Sequence, residues 1–315
     1  MTIDNYDVIV IGAGVTGLSA TIELLGHGLR VANIESQLFG GLIININELD
    51  GAIAGSGTDF ASDLMMQASR TGATILSEMV TGLVAHPDKQ LLLTTDQHSY
   101  QTKAVIIATG ATLKALNVPG ETAFEYKGIS HCADCDGPLY QDAEVVVVGG
   151  GDSAFQEALV LTEFCRQVHL IHHHESPTAH SHLTKAVTQH KKILVHSSCK
   201  VVEIFGTTGV EGVQVKHLAD QTTRHISCTG LFAYIGLKPS SDFLPDDIER
   251  DKDGHIITST KLMTSMQNVF AAGAVRHGYG GMLEHAIQEA KLAAQQCLLL
   301  GLDKLSNVLK PVDSN

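Results

Sequence analysis

Two cysteines separated by two residues, Cys132-Ala133-Asp134-Cys135, stand directly before Asp136 and Gly137. Such a pair can close a small disulfide ring that opens and re-forms by thiol–disulfide exchange. A carboxylic acid right after the second cysteine, Asp136, can move the protons that this exchange requires. Zinc is the competing use of a Cys-x-x-Cys. It normally takes four ligands, and no second Cys-x-x-Cys or His pair stands at ligand spacing, so no metal site is expected. Cys165, Cys199, Cys228 and Cys297 stand alone in apolar or mixed segments and read as small buried hydrophobes. A redox dithiol is therefore the expected role of Cys132 and Cys135.

The dithiol lies between two glycine-rich turns. Tyr6-Asp7-Val8-Ile9-Val10-Ile11 has the pattern of a buried parallel strand, and Gly12-Ala13-Gly14-Val15-Thr16-Gly17 follows at once. Residues 18–25 carry apolar side chains at helical spacing, and the next strand, 30–34, ends at Glu35. In such a unit Gly12 permits the tight turn, Gly14 lets backbone approach a pyrophosphate, and Gly17 packs helix on strand. The helix N-terminus faces the phosphates, and Glu35 falls where an acid meets a ribose. The pattern returns with the strand Glu144-Val145-Val146-Val147-Val148 and the turn Gly149-Gly150-Gly151-Asp152-Ser153-Ala154. A helix is expected over 155–164 and a strand over 168–171. Gly149, Gly151, Asp152, Ser153 and Ala154 form the second candidate nucleotide site. The fold class is thus α/β, with two Rossmann-like βαβ nucleotide-binding domains. Two such units suggest two nucleotides on one enzyme, normally a flavin and a nicotinamide. The plainer alternative is a duplicated domain whose second site has decayed.

Val105-Ile106-Ile107-Ala108-Thr109-Gly110 reads as a strand ending in a small-residue turn, residues 230–239 repeat this strand-then-turn plan, and Asn268-Val269-Phe270-Ala271-Ala272-Gly273 is a further strand. Asn117-Val118-Pro119-Gly120 reads as a linker. Residues 282–302 read as one amphipathic helix, entered through Gly280-Gly281, whose free N–H groups can support negative charge.

Bulk properties narrow the function classes. A chain of 315 residues accommodates two domains, and 44% hydrophobic residues make it globular. A formal charge of −13, without any Lys/Arg-rich run, argues against nucleic acid as a partner. No apolar run reaches the length of a membrane span, so no membrane partner is expected. The opening Met1-Thr2-Ile3-Asp4-Asn5-Tyr6-Asp7 is polar and acidic and leads straight into a strand, so neither a secretory signal nor a transit peptide is expected. Six cysteines then point to a reducing cytoplasm, where a disulfide is catalytic rather than structural.

Both glycine motifs, Cys-x-x-Cys-Asp-Gly, Ala108-Thr109-Gly110, the segment Gly230-x-Phe232-x-x-Ile235-Gly236-x-x-Pro239 and Phe270-Ala271-Ala272-Gly273 occur in this order. With that spacing the sequence resembles the low-molecular-weight thioredoxin reductases over nearly its whole length. The resemblance implies a homodimer in which an FAD-binding domain, residues 1–112 and 245–315, is interrupted by a smaller NAD(P)-type domain, residues 113–244, carrying the dithiol. It implies a flavoprotein disulfide oxidoreductase that passes electrons from a reduced nicotinamide to FAD, then to Cys132–Cys135, then to a protein disulfide such as that of thioredoxin. By the same resemblance, Cys135 lies beside the flavin, Cys132 attacks the partner, and Asp136 is the acid. Gly12, Gly14, Gly17, Glu35, Gly40 and Gly41 hold FAD. Val80 lies along its adenine and Thr109 and Gly110 along its backbone, with Gly273 and Ala274 in the C-terminal FAD segment.

The departures from the family pattern cluster. Where the family has His-Arg-Arg and a further Arg for the extra phosphate of NADPH, this chain has His172, His173, His174 and Thr178. Arginine is always charged and grips phosphate with a planar fork, whereas histidine near pH 7 is mostly neutral, so selection for a 2′-phosphate is expected to be weak. Ala274 replaces an aspartate that binds the ribityl chain, Gly281-Met282 replaces Arg-Gln, and Leu42 replaces a glutamine. Two readings compete with the NADPH-driven one. The first is an enzyme of the same fold that does not use NADPH: ferredoxin-dependent, linked to a second FAD for which Ala274, Gly280 and Gly281 leave room, or running from dithiol to flavin as an oxidase. The second is a non-enzymatic flavin redox sensor, against which Asp136 argues, because a reporter needs no proton donor.

Overall fold

The structure is a computed structural model that describes residues 4–46, 49, 55–86 and 90–302. Met1, Thr2 and Ile3 of the polar lead-in lie outside the described residues. The chain divides into two compact units. One comprises Met1–Ile44, Glu48–Thr112 and Lys238–Asn315, the other Asn45–Asn47 and Leu113–Leu237.

The first unit begins with β1 (Asp4–Ile11), α1 (Val15–Gly26) and β2 (Val31–Glu35). It continues with α2 (Gly57–Arg70), β3 (Thr74–Ser77), β4 (Val80–Ala85), β5 (Leu91–Thr95) and β6 (Ser99–Ile107). The short strand β7 (Ala111–Leu113) leads to the second unit. There the order is α3 (Glu121–Phe124), β8 (Ile129–Ser130), α4 (Ala133–Asp136), β9 (Glu144–Val148), α5 (Asp152–Leu161) and β10 (Gln167–Ile171). Then come α6 (Ser181–Gln189), β11 (Ile193–His196), β12 (Cys199–Gly206), β13 (Val210–His217), β14 (Thr223–Ser227) and β15 (Gly230–Ala233). Strand β16 (Leu237–Pro239) pairs with β7, and β17 (Val269–Ala271) and α7 (Leu283–Cys297) follow in the first unit.

β-Branched residues stiffen β1 toward the extended backbone, and its second half is buried on both faces, as a central parallel strand requires. It sits between β2 and β6, with Val10 opposite Asn33 and Ile106. The order of this sheet is β3-β2-β1-β6-β5-β4, and β17 adds to β6 with Phe270 opposite Ile106. Ala20 and Leu24 of α1 share one core with Ala290, Ala293, Ala294 and Cys297 of α7. In the second unit the parallel order is β11-β10-β9-β15-β8. One face packs Phe155 and Leu161 of α5, and the other packs Val213 and Val215 of the antiparallel meander β12-β13-β14. Among the described residues no helix is long and apolar enough to cross a membrane.

Three sequence expectations are corrected. The helix expected over 282–302 ends at Cys297; a widened turn, Leu298–Leu302, follows and breaks at Gly301, whose φ is +71°. The helix expected over 155–164 starts earlier, at Asp152, and stops at Leu161. Asn117-Val118-Pro119-Gly120 does not link the units: Leu116 and Val118 pack on the second unit's core, and the Pro119 carbonyl accepts the Ile204 N–H. By its internal contacts the first unit resumes at Lys238, within β16, which pairs with β7.

Candidate active site

Helix α4 is a single turn because the chain enters it extended at Cys132 and leaves it through Gly137 and Pro138. Cys132 is its N-cap, and its Sγ accepts the Cys135 N–H at 3.2 Å. Cys132 and Cys135 are joined by a disulfide, with Cα atoms 5.3 Å apart. Cys135 is exposed, Cys132 and Asp136 are half-buried, and Ala133 between the cysteines is fully buried. Gly137 is sterically required, since a Cβ there would stand 2.7 Å from the Phe164 ring. The Ala133 N–H donates to Tyr234 Oη at 3.2 Å, and the Tyr234 hydroxyl donates to Glu157 Oε2 at 3.4 Å. Sequence reasoning missed both residues. The available signals were a lone hydroxyl in the apolar run Leu231-Phe232-Ala233-Tyr234-Ile235 and a carboxylate directly before the apolar run Ala158-Leu159-Val160-Leu161 of α5. Burial pushes the Glu157 carboxyl above its ordinary range, and the Asp134 charge adds to this. The other four cysteines are buried thiols. Burial pushes Cys165 up to about 11 and Cys228 to about 12, so both stay protonated and inert near neutral pH.

The first glycine turn is built around backbone contacts. Gly12 has φ +105°, and a Cβ there would meet the Ala108 carbonyl oxygen at 2.4 Å. A Cβ on Gly17 would lie 1.8 Å from the Gly12 oxygen, so α1 can start this close to β1 only with glycine. Gly14 caps α1 with no side-chain hydrogen bond and no acid in the first turn, which leaves the helix N–H groups aimed outward. Gly40 donates its N–H to the Ala13 oxygen at 2.8 Å and bridges to Gly14, and Gly41 follows with φ +63°. Glu35, ending β2, accepts N–H bonds from Ala13 at 2.8 Å and from Gln37 at 2.9 Å. The Glu78 N–H donates to the Glu35 oxygen, which brings the start of β4 and its buried Val80 to the same edge. Thr109 donates to the Ser240 oxygen at 2.7 Å, and Gly110 has φ +65°. Gly273 has φ +76°, and a Cβ there would lie 2.4 Å from Thr16 Oγ1. Its N–H is held by Glu289 Oε2 at 2.8 Å, and Glu289 also pairs with Arg276. Glu289 was not foreseen, because it lies on a helix far along the chain. Ala274 is half-buried in the 3₁₀ turn Gly273–Val275 and offers a methyl group where a carboxylate would accept hydrogen bonds. The arrangement leaves the N–H groups at the start of α1 beside a glycine turn with no side chains in the way, with the Glu35 carboxylate at the edge of the same turn.

The second turn is made the same way. Gly149 has φ +151°, and a Cβ there would meet the Tyr234 carbonyl oxygen at 2.3 Å and Ala154 Cβ at 2.7 Å. Gly151 caps α5 without a side-chain bond, Ser153 is exposed and Ala154 is fully buried. Here, however, the loop after β10 lies over the turn. The Gly150 oxygen accepts from Thr178 N at 2.8 Å, Thr178 Oγ1 at 3.0 Å and Ala179 N at 3.0 Å. The Asp152 carboxylate accepts the His180 N–H at 2.7 Å and also pairs with His180 Nδ1, and the backbone bond to His180 is the main cause of its lowered pKa. His172 is buried, whereas His173 and His174 are exposed with their rings 3.9 Å apart.

Comparison with known proteins agrees with this fold. The profile of the pyridine nucleotide-disulphide oxidoreductases matches residues 6–296. A thioredoxin reductase of Treponema pallidum (strain Nichols) is 35% identical over 294 residues, covering 92% of this chain and 95% of the relative. The crystal structure of Lactococcus lactis thioredoxin reductase (FR conformation) has a TM-score of 0.84 at 29% identity, covering 93% of this chain and 98% of the other. That of T. acidophilum thioredoxin reductase has a TM-score of 0.83 at 28% identity, covering 95% and 99%.

Proposed function

The chain belongs to the pyridine nucleotide-disulphide oxidoreductase family, and from that premise we propose that it exchanges electrons between FAD in its first unit and the Cys132–Cys135 pair, and from there with a disulfide of a thioredoxin-like protein. The carrying observation is the closed disulfide on α4, with Cys132 Sγ receiving the Cys135 N–H. FAD, when bound and reduced by an electron donor, would supply the two electrons that open this disulfide. The N–H groups at the start of α1 and the Gly12–Gly14–Gly17 backbone would hold its pyrophosphate, with Glu35 on the ribose and Val80, Thr109, Gly110 and Gly273 along its length. Opening the disulfide also consumes two protons, and Asp136, next to Cys135, is the group placed to move them. The Cys132 thiolate, whose Sγ receives the Cys135 N–H, attacks the partner disulfide and releases one partner sulfur. The Cys135 thiolate then attacks Cys132 in the mixed disulfide, so the partner leaves as a dithiol and Cys132–Cys135 re-forms. The thioredoxin reductases among the relatives support a protein rather than a small thiol as partner. We take the working form to be a homodimer in a reducing cytoplasm.

The second unit supports a further reading of the electron donor. Thr178, Ala179 and His180 are bonded to the glycine turn and Asp152, and arginines are missing at 173, 174 and 178. This favours a donor other than NADPH, such as NADH, a second FAD or ferredoxin.

Flavin released from purified protein should be FAD, near one per subunit; two per subunit supports the second-FAD reading. Cys132→Ser should leave the Cys135 thiolate to give a long-wavelength charge-transfer band with oxidised flavin, and Cys135→Ser should lack it. Identical spectra in wild type and both variants would remove the dithiol from the flavin's neighbourhood.

A further inference from the structure

The first N–H of a helix has no carbonyl partner inside that helix. In α4 this is the N–H of Ala133, which lies between the two cysteines and is fully buried, so Tyr234 Oη rather than solvent receives it at 3.2 Å. A tyrosine hydroxyl has one proton. While it accepts from Ala133, it donates to Glu157 Oε2 at 3.4 Å. The phenol itself is firmly held. The Tyr234 N–H donates to the Val148 oxygen at 2.8 Å, and its carbonyl oxygen packs against Gly149, where a Cβ would stand only 2.3 Å away. The contact therefore joins three segments: the dithiol turn α4, the residue after β15, and α5.

We propose that Tyr234 and Glu157 are positioning residues that hold a negative charge beside the dithiol helix and thereby make the Cys132–Cys135 pair more reducing. The inference rests on the reading of this pair as the redox centre. Reduction breaks the S–S bond, takes up two electrons and two protons, and yields two thiols. A thiol that ionises there meets the charges of Asp134 and Asp136 on α4 and of Glu157 on α5, and like charge disfavours the thiolate. A dithiol becomes oxidising when its reduced form is stabilised, so a carboxylate that opposes the thiolate keeps the pair reducing. The Tyr234 hydrogen bond helps Glu157 stay charged against burial, which pushes its pKa up. Removing the hydroxyl takes away a hydrogen bond that favours the Glu157 carboxylate, so the two residues act on one quantity.

The flavin-loaded protein is equilibrated anaerobically in graded mixtures of reduced and oxidised dithiothreitol. It is then quenched with an alkylating reagent, and the reduced fraction of Cys132–Cys135 is read by mass. Glu157→Gln and Tyr234→Phe are each expected to shift the exchange constant roughly tenfold toward the dithiol, about 30 mV for two electrons. The double variant should shift no further than the larger single one. A contact that merely braces the fold would lower the unfolding midpoint and leave the exchange constant within about twofold of wild type. That result, or additive shifts in the double variant, overturns the proposal. A wild-type pair that fails to exchange at all overturns the redox-centre reading itself, and is distinguished from the former case by the wild-type titration alone.

Discussion

A guanidinium and an imidazole treat a phosphate differently. Arginine presents a permanently charged planar fork, and each hydrogen bond to a charged group contributes about 1.5–3 kcal/mol. His173 and His174 are exposed, and Thr178 spends its hydroxyl on the Gly150 oxygen. These positions therefore give a 2′-phosphate little beyond what a ribose hydroxyl would receive. NADPH is expected to bleach the flavin no faster than NADH in anaerobic stopped-flow mixing. His173→Arg combined with His174→Arg should tighten NADPH by at least about tenfold, the equivalent of one such contact, and leave NADH unchanged. If wild type is already reduced rapidly by micromolar NADPH and slowly by NADH, these substitutions have been misread. Cys132, Cys135 and the glycines were legible in the sequence because their chemistry or their lack of a Cβ shows in the letters. Tyr234 and Glu157 were not, because Ala133 meets Tyr234 only through tertiary folding.

Regular elements were legible where apolar runs were long, as in β1, β9 and α1. Their ends were not. Helix α5 begins at Asp152 because the extended Gly151 caps it, and α7 gives way after Cys297 to a widened turn that the left-handed Gly301 breaks. The histidines of the second unit show a further limit, since their roles come from pairing between elements. Arg224 of β14 donates to His196 Nδ1, so His196 Nε2–H donates to His169 Nδ1 at 3.1 Å, and His169 Nε2–H faces Glu144 Oε2 at 3.4 Å. This chain ties the meander to the parallel sheet only while both rings are neutral. Burial, then the Arg224 charge and the neighbouring titratable His169, hold His196 at about 4. The unfolded chain, with a value near 6.5, takes the proton first. The stabilisation is therefore complete above about pH 6.5 and is lost as pH falls toward about 4. The urea midpoint should drop between pH 7 and pH 5, and His196→Gln, which keeps an acceptor and a donor without titrating, should flatten that slope. An unchanged slope would place the acid sensitivity elsewhere.

The two units differ in how the chain closes them. Apart from the short segment Asn45–Asn47, the second unit is one continuous stretch, Leu113–Leu237, with its own parallel sheet, meander and two apolar cores. The first is made from segments at both ends of the chain. Its C-terminal segment supplies β17 beside β6, the buried face of α7, and the buried side chains Leu244, Ile248, Ile256, Leu262, Val269 and Phe270. Each large side chain of this kind contributes roughly 1.5–3 kcal/mol when fully buried. Together they rival the roughly 5–15 kcal/mol by which a whole domain is stable. A fragment of residues 113–237 is thus expected to fold alone, with a cooperative urea transition followed by far-ultraviolet circular dichroism. A fragment of residues 1–112 should show no cooperative transition, because β6 lacks β17 and α1 lacks α7. Mixing residues 1–112 with residues 238–315 should restore a transition and the ability to retain FAD through gel filtration. Cooperative folding of 1–112 by itself would show that the packing of α1 on α7 contributes far less than its burial implies.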